Sequence, residues 1–164
     1  MAFIKNVIFK KDISLSSKSI YINNFSNQET LESIQSEYKC KIISLESDEE
    51  LFTKSHSRFS NYPDVKIINY NENTLNFKDI NVLIFENDIK DIDILNLKLG
   101  ESAYRILNIL CDTEYISIIQ NIVIHKGKNI SLQSFLNDPI CSKLKKSHKM
   151  KKLYMLNSQH WEKI

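Results

Sequence analysis

Apolar and polar residues alternate along this chain in short runs, and the densest apolar runs lie between residues 103 and 128. Residues 104–110 and 115–124 are rich in β-branched and aromatic side chains, which are typical of strands, and a polar break separates them. We therefore predict that these two runs are the paired central strands of the fold. Gly127, in the turn that follows, is expected to adopt a positive φ.

Other short apolar or alternating segments also have the length and composition of strands. The segment VLIF is apolar throughout, which predicts a strand that is buried on both of its faces. With VLIF at 82–85, these segments are residues 3–9, 20–23, 40–45, 65–70, 82–85, 93–99 and 153–156.

Helix-start signals occur at fewer places. Ser26 precedes Glu29 by three residues, and Ser47 precedes Glu50 by three, as in a capping box. These pairs predict a helix over 27–38 and a helix of about two turns after Ser47, with residues 55–64 forming a loop. A helical turn at 131–136 and a helix begun by Asp138 and Pro139 would follow. The chain is thus expected to be a single α+β domain over residues 1–164, with a mostly antiparallel central sheet and two to four short helices.

Length and composition narrow the class of protein. No apolar run approaches the roughly 20 residues that span a bilayer, and the N-terminus lacks the features of a secretory signal. The three cysteines, Cys40, Cys111 and Cys141, are far apart and form no C-x-x-C pair. Reduced thiols, no bound metal, no membrane partner and a cytoplasmic location are the expectations.

The net charge of +2 conceals a basic C-terminal segment. Residues 141–164 contain seven lysines and one glutamate, whereas residues 1–140 contain 15 Lys and Arg against 19 Asp and Glu. Six of these lysines are candidates for anion binding, and a nucleic-acid-associated protein that uses them is one alternative function. The chain has only two arginines, which argues against nucleic acid as the partner. The six are Lys143, Lys145, Lys146, Lys149, Lys151 and Lys152.

No recognisable catalytic motif is present. Gly100 and Gly127 are the only glycines, so the sequence has neither a phosphate-binding loop nor a dinucleotide fingerprint. We therefore expect no cofactor and no enzymatic activity. One alternative is a small hydrolase with Cys141, near a predicted helix start, as its nucleophile. Its base would be one of the histidines His125, His148 and His160.

Four carboxylates, Glu86, Asp88, Asp91 and Asp93, follow the VLIF run closely. Such a cluster would favour association with a basic partner through long-range attraction. Trp161 has two interpretations, because an exposed tryptophan is a common interface anchor and a buried one packs the core.

The run at 104–110, the polar CDTEY break and the ending from Ser131 to Trp161 resemble immunity proteins of bacterial polymorphic-toxin and contact-dependent inhibition systems. The resemblance covers about residues 82–161. It implies a non-catalytic protein that binds one cognate toxin domain, such as a nuclease, and blocks its active site. Glu86, Asp88, Asp91 and Asp93 would then occupy the place of the phosphates of a nuclease substrate.

Overall fold

The computed structural model describes residues 15–24, 27–127, 130–154 and 158–164. The predicted first strand at 3–9, the predicted cap Ser26 and the end of the predicted strand at 153–156 lie outside these ranges. The described chain alternates between strands and helices and divides into two compact units, residues 1–69 and 70–164.

The strands are β1 (Ile20–Asn23), β2 (Lys41–Glu46), β3 (Val65–Asn69), β4 (Ile92–Lys98), β5 (Ile119–His125), β6 (His148–Tyr154) and β7 (Ser158–Lys163). The helices are α1 (Gln28–Tyr38), α2 (Glu49–Phe59), α3 (Phe77–Glu86), α4 (Glu101–Cys111), α5 (Leu132–Leu136) and α6 (Pro139–Leu144), and Glu114–Ile118 forms a 3₁₀-helix. The seven strands form a mixed sheet in the order β3-β2-β1-β4-β5-β7-β6.

In the first unit, three parallel strands alternate with two helices. Strand β2 pairs with β1 on one side and with β3 on the other, and Ile43 lies opposite Ile22 and Lys66. Residues 42–46 of β2 are all buried, as expected for a central strand of a parallel sheet. Parallel pairing requires long crossovers, and helices α1 and α2 provide them.

In the second unit, β4 and β5 are parallel, and β7 lies antiparallel to both β5 and β6. Ile94, Leu97 and Ile122 are completely buried in this part of the sheet. Trp161 on β7 is 1% exposed, and its Nε1 donates a hydrogen bond to the Gln159 side chain at 3.1 Å.

The predicted fold class is wrong. The sheet is mixed and mostly parallel. The described pairs β1–β2, β2–β3 and β4–β5 are parallel, whereas β7 is antiparallel to both β5 and β6. Six α-helices are present in the described ranges, more than the two to four expected. The physical reason is the alternation of strand and helix along the chain, which produces βαβ units rather than hairpins.

The prediction that residues 104–110 form one of two paired central strands is also wrong. Residues 104–110 lie in helix α4, whose buried side chains are Ser102, Ala103, Ile106, Leu107 and Leu110. The spacing of three and four residues among the last four is the helical period. The second run begins as a 3₁₀-helix and becomes strand β5 only at Ile119.

The predicted buried strand at 82–85 is instead the end of helix α3. Ile84 is 8% exposed, but Phe85 is 85% exposed, so the apolar run is not buried on both faces. A short apolar run has no period long enough to distinguish a strand from a helix.

Several other element predictions are confirmed, among them strands at 20–23 and 93–99 and the helix ending at Tyr38. Asp138 caps α6, because its Oδ1 accepts a hydrogen bond from the Ile140 N–H at 2.9 Å and Pro139 occupies the first turn. Helix α2 begins after Asp48 and runs to Phe59, through the first half of the predicted loop. Neither glycine has a positive φ, so the positive φ expected at Gly127 is wrong.

Candidate functional site

The carboxyl ends of β1, β2 and β3 bring polar residues to one edge of the first unit. Asn23 is the last residue of β1, and Asn24 follows it. Glu46 is the last residue of β2 and lies opposite Asn69, the last residue of β3. Ligands of open α/β sheets bind outside the carboxyl ends of the strands. The carboxyl ends of these three strands therefore form the candidate functional site of the first unit.

Glu46 is the residue at this edge that is best suited to bind a ligand. Its side chain is 6% exposed, and Oε1 accepts a hydrogen bond from the backbone N–H of Asp48 at 3.0 Å. That bond fixes the carboxylate at the start of the β2–α2 connection. A carboxylate offers about four acceptor positions in total, so one such group can receive several hydroxyl donors.

The connection between β1 and α1 shapes the neighbouring part of the edge. Asn27 caps α1, since its Oδ1 accepts hydrogen bonds from the N–H and the hydroxyl of Thr30, both at 3.0 Å. No glycine occurs in residues 23–27, whereas a pyrophosphate cradle relies on glycine to let the backbone approach the phosphates. The connection is therefore unsuited to a dinucleotide.

The edge of the first unit is also anionic. Asp48 caps α2 through a hydrogen bond from the Leu51 N–H to its Oδ1 at 2.9 Å, and Glu49 and Glu50 follow in the first helical turn. Together with Glu46, four carboxylates lie within five residues of chain. Such a concentration repels phosphate groups and attracts cationic ligands.

In the second unit, the carboxyl ends of β4 and β5 carry a histidine–asparagine pair. His125 Nε2 lies 2.6 Å from Asn96 Oδ1, and His125 is paired with Lys98 in the strand register. An amide oxygen only accepts, so this contact is a hydrogen bond when Nε2 carries the proton. Of the three histidines considered from the sequence, this one lies beside the end of a parallel strand.

The candidate nucleophile Cys141 is not part of a catalytic group. Its side chain is fully buried, and burial raises the pKa of its thiol, which opposes formation of a thiolate. His148 bonds to Ser147 Oγ at 2.9 Å and to the Ile119 carbonyl at 3.0 Å, and His160 Nε2 bonds to Asn121 Oδ1 at 2.9 Å. These contacts give no support to a cysteine hydrolase.

The six candidate lysines differ in their surroundings. Lys143 forms an ion pair with Asp112 at 2.7 Å, and Lys151 forms one with Glu162 at 2.8 Å. Lys145, Lys146 and Lys149 are exposed and form no ion pair within the described ranges, and the side chain of Lys152 lies outside them. Three lysines are thus available for anions, at the end of α6 and on the edge strand β6.

The four candidate carboxylates also differ in their exposure to solvent. Glu86, Asp88 and Asp91 are exposed around the end of α3, whereas Asp93 is half-buried within β4. Trp161, the other candidate for partner binding, is buried in the second unit, away from solvent.

Comparison with known proteins gives no match in sequence, since no family model and no curated protein matches the chain. Solved structures do match in fold. The 23S rRNA methyltransferase ErmE has a TM-score of 0.64 at 8% identity, over 99% of this chain and 68% of that one. An rRNA methylase from Streptococcus thermophilus has a TM-score of 0.60 at 11% identity, over 99% and 93%. The N-terminal domain of human METTL16, solved with SAH, has a TM-score of 0.61 at 13% identity, over 98% and 67%.

The chain shares the Rossmann-like fold of these solved structures. The resemblance to immunity proteins is therefore wrong, and so are the functions it implied, namely toxin neutralisation and the absence of catalysis. The expectation that nucleic acid is an improbable partner is overturned too, because the matching structures include RNA methyltransferases. The resemblance rested on hydrophobic runs, and one of those runs is a helix rather than a strand.

None of the helices in the described ranges is long and apolar enough to cross a membrane. The same residues contain no group of three or more His, Cys, Asp or Glu side chains placed to hold a metal ion.

Proposed function

We propose that this protein is a methyltransferase that uses S-adenosylmethionine and that Glu46 binds the ribose of this cofactor. The observation that carries the proposal is a buried carboxylate at the carboxyl end of β2, in a sheet of methyltransferase topology. In nucleotide-binding βαβ units, an acidic residue about 20 positions after the first strand accepts the ribose hydroxyls. Glu46 lies 23 positions after Asn23, the last residue of β1.

The scarcity of glycine does not oppose this cofactor. S-adenosylmethionine has a nucleoside and an amino acid but no phosphate, so it does not need the glycine-rich cradle that a pyrophosphate requires. Its sulfonium carries a positive charge, which the four carboxylates of residues 46–50 attract. The features that exclude a phosphate-binding site in this chain are thus compatible with an S-adenosyl compound.

When bound, the cofactor would supply an electrophilic methyl group attached to a sulfonium. The residues of this chain would bind and orient it. The carboxylate of Glu46 would accept hydrogen bonds from the ribose hydroxyls, while the Asp48 N–H keeps that carboxylate in place. A hydrogen bond to a charged acceptor is worth roughly 1.5–3 kcal/mol, enough to contribute strongly to cofactor affinity.

Calorimetric titration with S-adenosylhomocysteine tests this role. Glu46→Gln keeps an oxygen that can accept from the Asp48 N–H, so the fold should survive. Loss of the charged acceptor should weaken binding about tenfold or more. Glu114→Gln is the matched control, since Glu114 is exposed on the 3₁₀-helix and lies outside the carboxylates of residues 46–50. Equal affinity of Glu46→Gln and the unmodified protein would refute the role of Glu46.

We further propose that the methyl acceptor is a nucleic acid, with Lys145, Lys146 and Lys149 binding its phosphates. The support is the exposed position of these three lysines and the RNA methyltransferases among the matching folds. Lysines bind phosphates as point charges and release condensed counterions, which makes binding dependent on salt.

A fluorescence anisotropy titration with a labelled 20-nucleotide single-stranded RNA tests the acceptor class. Replacing the three lysines by glutamine should weaken binding and reduce the salt slope by about 0.7 for each lost phosphate contact. The triple variant Lys54→Gln, Lys78→Gln, Lys90→Gln, at exposed positions outside α6 and β6, should bind RNA normally. If both triple variants behave alike, the lysines of α6 and β6 are not the nucleic-acid surface.

A further inference from the structure

Helix α3 presents large apolar side chains to solvent. Phe85 is 85% exposed, Phe77 is 50% exposed and Val82 is 41% exposed, while Ile80 and Ile84 face inward and are buried. Exposed apolar clusters of this kind on soluble domains are typical of interaction surfaces. Aromatic side chains are also the residues that most often dominate binding energy at interfaces.

Carboxylates surround the end of this apolar face. Glu86, Asp88 and Asp91 are all exposed, and Lys90 is the one basic residue between Glu86 and Asp91. Lys90 lies 3.9 Å from Asp88 with both side chains at least 80% exposed, so it neutralises little of the charge. The surface thus combines aromatic anchors with a net negative rim.

The backbone at this point is ordered by a specific helix end. The Ile89 N–H donates to the Ile84 carbonyl at 3.0 Å, and the Asp88 N–H donates to the Phe85 carbonyl at 3.1 Å. This is the Schellman pattern, in which the residue after the cap takes a left-handed conformation and is usually glycine. Here that residue is Asp88, with φ 48°. An aspartate therefore occupies a position where glycine would adopt the left-handed conformation with less strain.

The neighbouring contacts hold the two ends of the helix. Asn87 Nδ2 donates to the Leu83 carbonyl at 2.7 Å at the carboxyl end of α3. At the amino end, Phe77 stacks on Tyr115 with ring centroids 6.1 Å apart, and the Tyr115 hydroxyl bonds to Asn81. A preorganised face loses little conformational freedom when a partner binds.

We propose that Phe77, Val82 and Phe85, with Glu86, Asp88 and Asp91, form a docking surface for a basic amphipathic helix of a partner protein. The apolar side of such a helix would cover the aromatic side chains, and its lysines or arginines would meet the carboxylates. The charge selects this occupant, because three exposed carboxylates repel both the phosphates of nucleic acid and the headgroups of an anionic membrane. This surface shares no residue with the proposed cofactor site or with the three lysines proposed to bind RNA.

Binding of a labelled 14-residue peptide made of leucine and lysine at helical spacing tests the proposal by fluorescence anisotropy. The matched peptide carries glutamate in place of lysine and should not bind. Phe85→Ala should weaken binding of the basic peptide roughly tenfold or more, as expected for an interface anchor. The triple variant Glu86→Gln, Asp88→Asn, Asp91→Asn should weaken it and flatten its salt dependence.

Leu51→Ala is the control for Phe85→Ala, because Leu51 is 42% exposed on helix α2 of the other unit. It should leave peptide affinity unchanged. Equal binding of the two peptides, or full affinity of Phe85→Ala, would overturn the proposal. Sedimentation equilibrium provides a second measurement: a dimer that dissociates in Phe85→Ala would make a second copy of this chain the occupant and would also overturn it.

Discussion

At the scale of the residue, position 127 requires glycine because another backbone segment lies very close to it, and not because of its φ angle. Its φ is not positive, but a Cβ added at this position would lie 2.0 Å from the Leu99 carbonyl oxygen. The hydrogen bond from the Leu99 N–H to the His125 carbonyl, at 2.9 Å, brings the two backbone segments together. No side chain larger than hydrogen fits there without moving one of them.

Gly127→Ala should therefore lower the free energy of unfolding by about 2–3 kcal/mol, in the range of overpacking substitutions. Gly100→Ala is the matched control, because nothing lies within 4 Å of a Cβ there. It should change stability by less than about 1 kcal/mol, as expected at a helix N-cap. Urea unfolding of both variants measures the difference, and equal midpoints would contradict the described contact.

His148 is a buried histidine whose protonation opposes folding. Burial lowers its pKa below the ordinary value; the bond to the Ile119 carbonyl partly opposes this effect, and nearby Lys163 adds to it. The folded protein thus binds fewer protons than the unfolded chain once the pH falls below about 6.5, the usual histidine pKa. This contribution to stability is complete above that pH and is lost as the pH falls towards the folded-state pKa.

His148→Gln should flatten the dependence of unfolding free energy on pH below about 6.5. Glutamine retains an amide that can donate to the Ile119 carbonyl. His56→Gln is the control, because His56 is exposed on helix α2, and its pH dependence should match that of the unmodified protein. Parallel pH curves for His148→Gln and the unmodified protein would show that His148 is not responsible.

At the scale of elements, the VLIF segment as a buried strand and as the end of helix α3 would respond differently to mutation. A strand buried on both faces would make Ile84 and Phe85 equally important for stability, whereas the helix buries Ile84 and exposes Phe85. Ile84→Ala should cost about 2–5 kcal/mol of unfolding free energy, and Phe85→Ala less than about 0.5 kcal/mol. Thermal and urea unfolding distinguish the two outcomes, and similar losses in both variants would contradict the helix.

The sequence predicted elements well where local chemistry determines them. The cap at Asp138 with Pro139 gave helix α6, and the alternating run before Gly100 gave strand β4. It failed for helix α4, although Ala103, Ile106, Leu107 and Leu110 have helical spacing. The β-branched and aromatic residues of that segment favour a strand. The helical spacing of its apolar residues is the more direct physical signal and predicts the observed helix.

At the scale of the whole molecule, the strand order could not be deduced from the sequence. Pairing partners are set by contacts between distant residues, and short apolar strands do not specify whether a neighbour is parallel or antiparallel. The alternation of strands and helices was the available signal, and it was lost once α3 and α4 were interpreted as strands. The error in fold class followed from these two segments.

The candidate site was missed for a related reason. Glu46 is one of four carboxylates in residues 46–50, and the sequence pattern alone does not distinguish it from the other three. Only the boundary between β2 and α2 distinguishes the strand-terminal Glu46 from the helix cap Asp48. The expectation of no cofactor rested on the scarcity of glycine, which argues only against cofactors that carry phosphates.

The most direct test of the central claim is a comparison of three ligands by calorimetry on the unmodified protein. S-adenosylhomocysteine should bind, whereas ATP and NAD, which share its adenosine but carry phosphates, should not bind at the same concentrations. That result is expected from a ribose-binding carboxylate on an anionic edge without a glycine cradle. Binding of ATP or NAD without S-adenosylhomocysteine, or binding of none of the three, would contradict the proposed cofactor and with it the proposed methyl transfer.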